Sequence, residues 1–375
     1  MPDRRTALLG SLALAGCAGS VGLPEDGPVR ADRFAQANDP GWDAWVENYK
    51  GRAAGRGIPP AVISAAFAGA GYVPEAVRRD RNQAEFTRSF EDYLQLVANE
   101  ERVAEGRAAF ARQEAVLRRA EATYGVPAEV VCAIWGVESR YGTRYETGLL
   151  VVSATSTLAY DGRRARFFED ELTAALRIIA AGDVSPARMT GSWAGAMGHT
   201  QFIPTAFLAN AVDFDGDGRR DIWQEDPTDA LGSAANYLAR AGWRRGVAYA
   251  AEVGTAGAGS RAITPQPGGP TFGAGPNFAV IRRYNPSDSY ALAVSYLAGR
   301  IAGRGPLRSG FPPDANGLTL RDRVALQEGL NRAGFDVGTP DGVIGERTRA
   351  AVAAFEAARG LPVTGAPSRA VLGAL

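Results

Sequence analysis

Apolar residues recur at helical spacing through most of this chain. Val130, Ile134, Val137 and Tyr141 form one such face, with Pro127 placed for a first turn and Gly142 for a helix end. Further helical patterns fall at 42–51, 60–68, 83–99, 101–124, 164–181 and 230–240. Pro60 suits the first position of its helix, where a missing N–H costs nothing, and Asp229 can cap the helix that follows it. Residues 247–281 break the pattern. They are rich in Gly and Pro, with short apolar pieces at 249–253 and 278–281, and predict loops and a few short strands inserted before a last helix at 289–302. Gly305-Pro306 and Pro312-Pro313 mark 303–316 as a linker. Beyond it, 317–375 alternates amphipathic runs with Gly turns, which predicts three short helices. The fold class is therefore mainly α (α+β).

Composition narrows the function. A chain of 375 residues has room for two or three domains, and a 46% hydrophobic share indicates a globular protein. Lys+Arg and Asp+Glu both number 41 and no basic stretch dominates, so nucleic acid is excluded as a partner. A single histidine, His199, excludes a multi-histidine metal site. Two cysteines, Cys17 and Cys132, give no disulfide framework. Cys132 sits within an apolar helix and reads as a core residue. At the N-terminus, Arg4 and Arg5 precede an apolar run, 8–15, too short to span a bilayer. It ends in Leu14-Ala15-Gly16-Cys17, which resembles the lipobox of bacterial lipoproteins. That resemblance implies a signal peptide at 1–16, lipid on Cys17 and a polar tether at 17–40. Ala18 is not the aspartate of inner-membrane retention, so the expected location is periplasmic, anchored to the outer membrane. The alternative is an ordinary cleaved signal, and Arg4-Arg5 leaves the export route open between the general and twin-arginine systems.

The most informative stretch is Ile134-Trp135-Gly136-Val137-Glu138-Ser139-Arg140-Tyr141-Gly142. It sets one glutamate beside an apolar helical face and near a helix C-terminus, two surroundings that disfavour a carboxylate. The predicted consequence is a raised pKa, as a general acid needs. The competing reading is a surface glutamate paired with Arg140 or Arg144. Downstream, Gly191-Ser192-Trp193-Ala194-Gly195-Ala196-Met197-Gly198-His199-Thr200-Gln201 offers close backbone approach and neutral hydrogen-bonding groups. Arg283-Tyr284-Asn285-Pro286-Ser287-Asp288-Ser289-Tyr290 adds rings and an amide, groups suited to carbohydrate.

In this order, from about residue 86 to 300, these segments resemble the membrane-bound lytic transglycosylase B family of peptidoglycan-cleaving enzymes. The resemblance implies a lysozyme-like catalytic domain at 41–302 acting on glycan strands. It implies Glu138 as sole acid/base, contacted by Ser192, and glycan-groove roles for Met197, Gln201, Tyr237, Tyr284, Asn285, Tyr290 and Tyr93. The product would carry a 1,6-anhydro ring, with no cofactor for the chemistry. A hydrolysing muramidase and a non-catalytic wall-anchoring lipoprotein are the alternatives. The last unit resembles the peptidoglycan-binding domain of cell-wall hydrolases, with Glu356 where that family usually has glutamine. A monomer is expected.

One motif stands apart. Asp213, Asp215 and Asp217 alternate and Gly218 takes the sixth position, as at the start of an EF-hand loop. The Arg219 carbonyl and Asp221 would follow as ligands of a structural Ca2+. The twelfth position is Gln224 rather than glutamate. The family resemblance implies Asp229 as last ligand, with Glu225 or Asp226 as substitutes.

Overall fold

The computed structural model describes residues 34–82, 88–144 and 148–375. The signal segment 1–16, Cys17 and the tether up to residue 33 lie outside the described residues. Thirteen helices form the larger part: α1 (Pro40–Gly55), α2 (Pro60–Phe67), α3 (Pro74–Arg81), α4 (Phe90–Val97), α5 (Glu100–Arg112), α6 (Glu114–Tyr124), α7 (Ala128–Ser139), α8 (Val151–Asp161), α9 (Ala165–Ala181), α10 (Pro204–Asn210), α11 (Thr228–Arg240), α12 (Pro276–Tyr284) and α13 (Asp288–Ile301). Strands β1 (Ala250–Glu252), β2 (Arg261–Ile263) and β3 (Phe272–Ala274) lie between α11 and α12 and form an antiparallel sheet ordered β1-β3-β2. Three helices follow: α14 (Leu320–Arg332), α15 (Glu346–Ala358) and α16 (Arg369–Ala374). Among the described residues no helix is long and apolar enough to cross a membrane.

The core explains this order. Every residue of α7 but Glu129 is buried, so the helix is apolar nearly all round and runs through the interior rather than along one face. Helices α5, α6, α11 and α13 pack around it. A second apolar cluster joins α1, α2 and α9 to Met197, Phe202, Phe207 and Trp223. The C-terminal helices enclose a small core of their own around Leu326, Leu330, Val352 and Phe355. There Glu356 is buried and accepts from Thr364 N, Thr364 Oγ1 and Gly365 N, so this departure from the family pattern pins a turn.

Three expectations need correction. The pattern at 101–124 is two helices, because the backbone bends at Gln113 (φ −111°, ψ 19°) between α5 and α6. Residues 278–281, taken as a short apolar piece of the insertion, belong to α12, which Pro276 starts. Asp229 does not cap α11: the helix begins at Thr228, two residues earlier than expected, with Pro227 at the cap position, and Asp229 lies in its first turn.

The segment 303–316 is bound along its length rather than loose. Arg308 N and Ser309 N donate to the Glu252 carboxylate on β1 (2.7 and 2.8 Å), and the Phe311 ring lies 6.2 Å from that of Phe90 on α4.

Candidate functional site

Glu138 occupies the last turn of α7, with only 8% of its surface exposed. That leaves the side chain almost wholly desolvated. Arg140 does not pair with it. The helix ends in a left-handed turn, with φ of 51° at Arg140 and 55° at Tyr141, and α5 holds both residues. Arg140 pairs with Glu105 and Glu101 (2.5 and 2.8 Å), while the Tyr141 hydroxyl donates to Arg102 O (2.9 Å). Two consecutive non-glycine residues in this region are strained, and the Arg140 ion pairs and the Tyr141 hydroxyl bond hold them there. Gly136 makes the turn possible: a Cβ there would run into the Tyr141 ring.

Burial drives the Glu138 pKa up to about 8, against a smaller lowering by the Tyr290 hydroxyl, which donates to Oε1 at 2.6 Å. No second carboxylate among the described residues shapes its protonation. Tyr290 sits on α13, whose packing against α7 brings together residues 152 apart in sequence. Its ring stacks on Tyr284 (6.5 Å, 7° between planes), and Tyr284 meets Tyr237 at 4.9 Å. Burial holds the Tyr284 and Tyr290 hydroxyls well above the usual phenol range, so both remain donors at working pH. Tyr284 donates to Thr200 O (2.6 Å) and Tyr237 to Arg283 O (2.6 Å). Tyr93, half-buried on α4, lies close enough to raise the Tyr290 pKa slightly.

The block 191–202 folds back on itself beside these rings. Met197 and Phe202 exchange backbone hydrogen bonds, and Ser192 N donates to Ala196 O. Ser192 Oγ accepts from Ala194 N and Ala196 N, which shapes this turn; among the described residues it is Tyr290 that bonds Glu138. Gln201 has φ of 53° and turns its amide onto Gly198 O (2.8 Å). Gly198 (φ 64°) is required, since a Cβ would strike the Ile222 carbonyl. Two residues read as groove lining are placed differently. Met197 is fully buried in the second core cluster and backs the wall rather than facing outward. The Asn285 side chain is turned onto Ser287 N (3.1 Å), where it shapes the α12–α13 turn.

Sequence reasoning missed the support beneath α7. Trp135 Nε1 can only donate, and it points at His199 Nδ1 (3.1 Å). The imidazole proton is therefore on Nε2, which donates to Gln224 O (2.8 Å). Burial holds the His199 pKa below the ordinary range, so the ring stays neutral.

Gln224 ends the acidic loop. Asp213, Asp215 and Asp217 converge there, with oxygens within 4.8 Å of one another, all exposed. Asp213 also accepts from Gly216, Asp217 and Gly218 N, which curls the backbone around it. Arg219 N donates to Asp217 Oδ1. Asp221 pairs with Arg188 (3.2 Å). Asp229 is fully buried, and its oxygens take Phe214, Asp215 and Asp221 N, tying both arms of the loop together. Burial outweighs those bonds and raises its pKa to about 6. A hard-oxygen donor set of this kind fits Ca2+.

The raised Glu138 pKa has a stability consequence. Below pH ~4.5 the carboxyl is protonated folded and unfolded. As pH rises from there to about 8, the unfolded chain sheds its proton first, so stability falls, and above that range the loss levels off. Glu138→Gln lacks this loss. Urea unfolding across pH 5 to 9 should show the variant gaining on the wild type by at most ~1.4 kcal/mol per pH unit. A gap independent of pH would contradict the assignment.

Comparison with known proteins agrees with this geometry. The transglycosylase SLT domain family matches residues 41–266 and 256–299, and the peptidoglycan binding domain family matches 319–375. Membrane-bound lytic murein transglycosylase B of Escherichia coli (strain K12) is 36% identical over 222 residues, 50% of this chain and 61% of that protein. The chain thus spans under two thirds of that curated relative. SltB3 from Pseudomonas aeruginosa, in crystals with NAG-NAM-pentapeptide and with NAG-anhNAM-pentapeptide, is 37% identical with a TM-score of 0.69, over 90% of this chain and 100% and 99% of those chains. The Escherichia coli lytic transglycosylase Slt35 in complex with calcium is 27% identical with a TM-score of 0.58, over 74% of this chain and 98% of that one. With its catalytic-type domain matched over most of its length, the chain belongs to the transglycosylase SLT domain family, alongside the lytic murein transglycosylases of the B type, and carries a C-terminal peptidoglycan binding domain.

Proposed function

We propose that this chain cleaves the β-1,4 bond between N-acetylmuramic acid and N-acetylglucosamine in peptidoglycan, with Glu138 as its single acid/base. The observation that carries the reading is a buried carboxyl, protonated at neutral pH, hydrogen-bonded by Tyr290 and, among the described residues, with no second carboxylate acting on it. Glu138 gives its proton to the glycosidic oxygen, and the C1–O bond breaks through an oxocarbenium-like state. The carboxylate left behind takes the proton of the C6 hydroxyl of the same muramic residue. That oxygen bonds C1 and closes a 1,6-anhydro ring, and Glu138 is again protonated. The Tyr290 hydroxyl favours the carboxylate that exists between the two proton transfers. Ordinary glycosidases place a second carboxylate to direct water or attack C1. Among the described residues none bonds or charges Glu138, which favours ring closure, in which proximity replaces a bound water. The anhydro product held by SltB3 supports the same outcome here. Tyr93, Tyr237 and Tyr284 offer ring faces to the sugars, while Ser192, Gln201 and Asn285 shape the backbone beside them.

Glu138→Gln should fold and lose at least the ~10²–10⁴-fold that a general acid/base contributes. Mass spectrometry of digested peptidoglycan should show wild-type muropeptides one water lighter than hydrolysis products. Near-native turnover by the variant would remove Glu138 from this role, and hydrated ends would assign the chain to the muramidases.

The remaining parts serve this reaction. The catalytic unit is assigned to 41–302, the connecting segment to 303–316 and the wall-binding domain to 317–375. Residues 317–375 hold the enzyme on its polymer by a second binding event. Cys17 carries lipid and places the protein in the periplasm at the outer membrane; the membrane-bound relative supports the membrane association. Asp213, Asp215 and Asp217, with the Arg219 carbonyl, Asp221 and Asp229, hold a structural Ca2+. A ligand that binds only the folded state raises its stability. Calcium should therefore raise the melting temperature of the wild type and leave that of Asp213→Ala/Asp217→Ala unchanged. Identical wild-type curves with calcium and with chelator would count against the site.

A further inference from the structure

The C-terminal domain is joined to the catalytic domain by one buried guanidinium. Arg323, on the first turns of α14, is 3% exposed. Its Nε donates to Gly342 O of its own domain (2.7 Å). Its Nη2 reaches across to Glu91 Oε2 (2.7 Å) and Asp92 Oδ1 (3.0 Å) on α4, and its Nη1 lies 3.6 Å from Asp314 of the connecting segment. Glu91 is itself buried, and its backbone N–H donates to Gln266 of the insertion (3.1 Å). The residue after Asp92 is Tyr93. Helix α4 also packs on α13, which carries Tyr290 and so meets Glu138.

A buried ion pair adds little net stability over well-packed apolar residues, but removing one partner strands the other charge away from water, so the two are held to one arrangement in the folded state. Here one side chain meets four residues, in two domains and the segment between them. Its carboxylate partners on α4 are the two residues that precede a ring assigned above to sugar binding. We propose that Arg323 is a positioning residue for the substrate site: the C-terminal domain is a docked support that sets α4, and with it Tyr93, against the glycan. This rests on the groove role given to Tyr93. The domain thereby has a second task, distinct from adhesion to the wall, and that task acts on glycans too short to reach a separate binding site. The bound course of 303–316, through Glu252 and Phe311, fits a domain held in one orientation.

The test compares full-length wild type, Arg323→Gln, Arg323→Gln/Glu91→Gln and Tyr93→Ala, alone and combined, on a short soluble glycan. The double variant removes the stranded Glu91 charge, so it remains informative where the single one folds poorly. Arg323→Gln and the double variant should raise KM about five- to tenfold, within the coupling range of contacting residues, and leave kcat near the wild-type value. Tyr93→Ala should raise KM in the wild type and add little in either Arg323 background. A lowered melting temperature with unchanged KM in both Arg323 variants, while Tyr93→Ala still raises KM, would overturn the inference and leave the groove role of Tyr93 standing. Unchanged KM in Tyr93→Ala itself would overturn that role, and the inference with it.

Discussion

The structure turns on the opposition between desolvation and one hydrogen bond at Glu138. A helix buried on every side takes the carboxyl out of water and makes it an acid near neutral pH. Burial alone would hold the proton more firmly still. The Tyr290 hydroxyl offsets part of that cost by bonding the charged form. The pair exists only because α13 returns alongside α7 after the insertion, so the architecture from 128 to 301 can be read as the scaffold of a single contact.

That contact also explains where the strain lies. Arg140 and Tyr141 leave α7 in left-handed conformations immediately after Glu138, and α5 grips both. From the opposite side, Trp135 one turn earlier is tied through neutral His199 to the carbonyl of Gln224 at the end of the acidic loop. The only histidine of the chain is thus a brace, and its tautomer follows from the donor it faces. The acidic loop and α7 are therefore joined by two hydrogen bonds through His199.

Much of this was legible in the sequence where local rules act. Pro60 and Pro127 mark helix starts, the Gly and Pro content of 247–281 marks the insertion, and an acid within an apolar helical run marks Glu138. Contacts between distant segments were not legible. Periodicity gives a face, not a partner, so Tyr290 read as a sugar-binding ring and its bond to Glu138 went unseen. Asp229 followed a cap pattern, yet burial and three backbone donors drew it into the loop. Pro312-Pro313 signalled a linker, because composition reports stiffness and turns but not what the segment lies against. Arg323 carried no signal at all, since a charged residue on an amphipathic helix reads as solvated until its burial is known.

The central claim is that Glu138 is a neutral acid tuned by Tyr290. Titration of the Glu138 carboxyl carbon by NMR, in selectively labelled protein, reads this directly. The account predicts a midpoint near 8 in the wild type and a higher one in Tyr290→Phe, because losing the hydroxyl removes the interaction that favours the carboxylate. A midpoint near the ordinary glutamate value of ~4.3, or one unmoved by Tyr290→Phe, would contradict it.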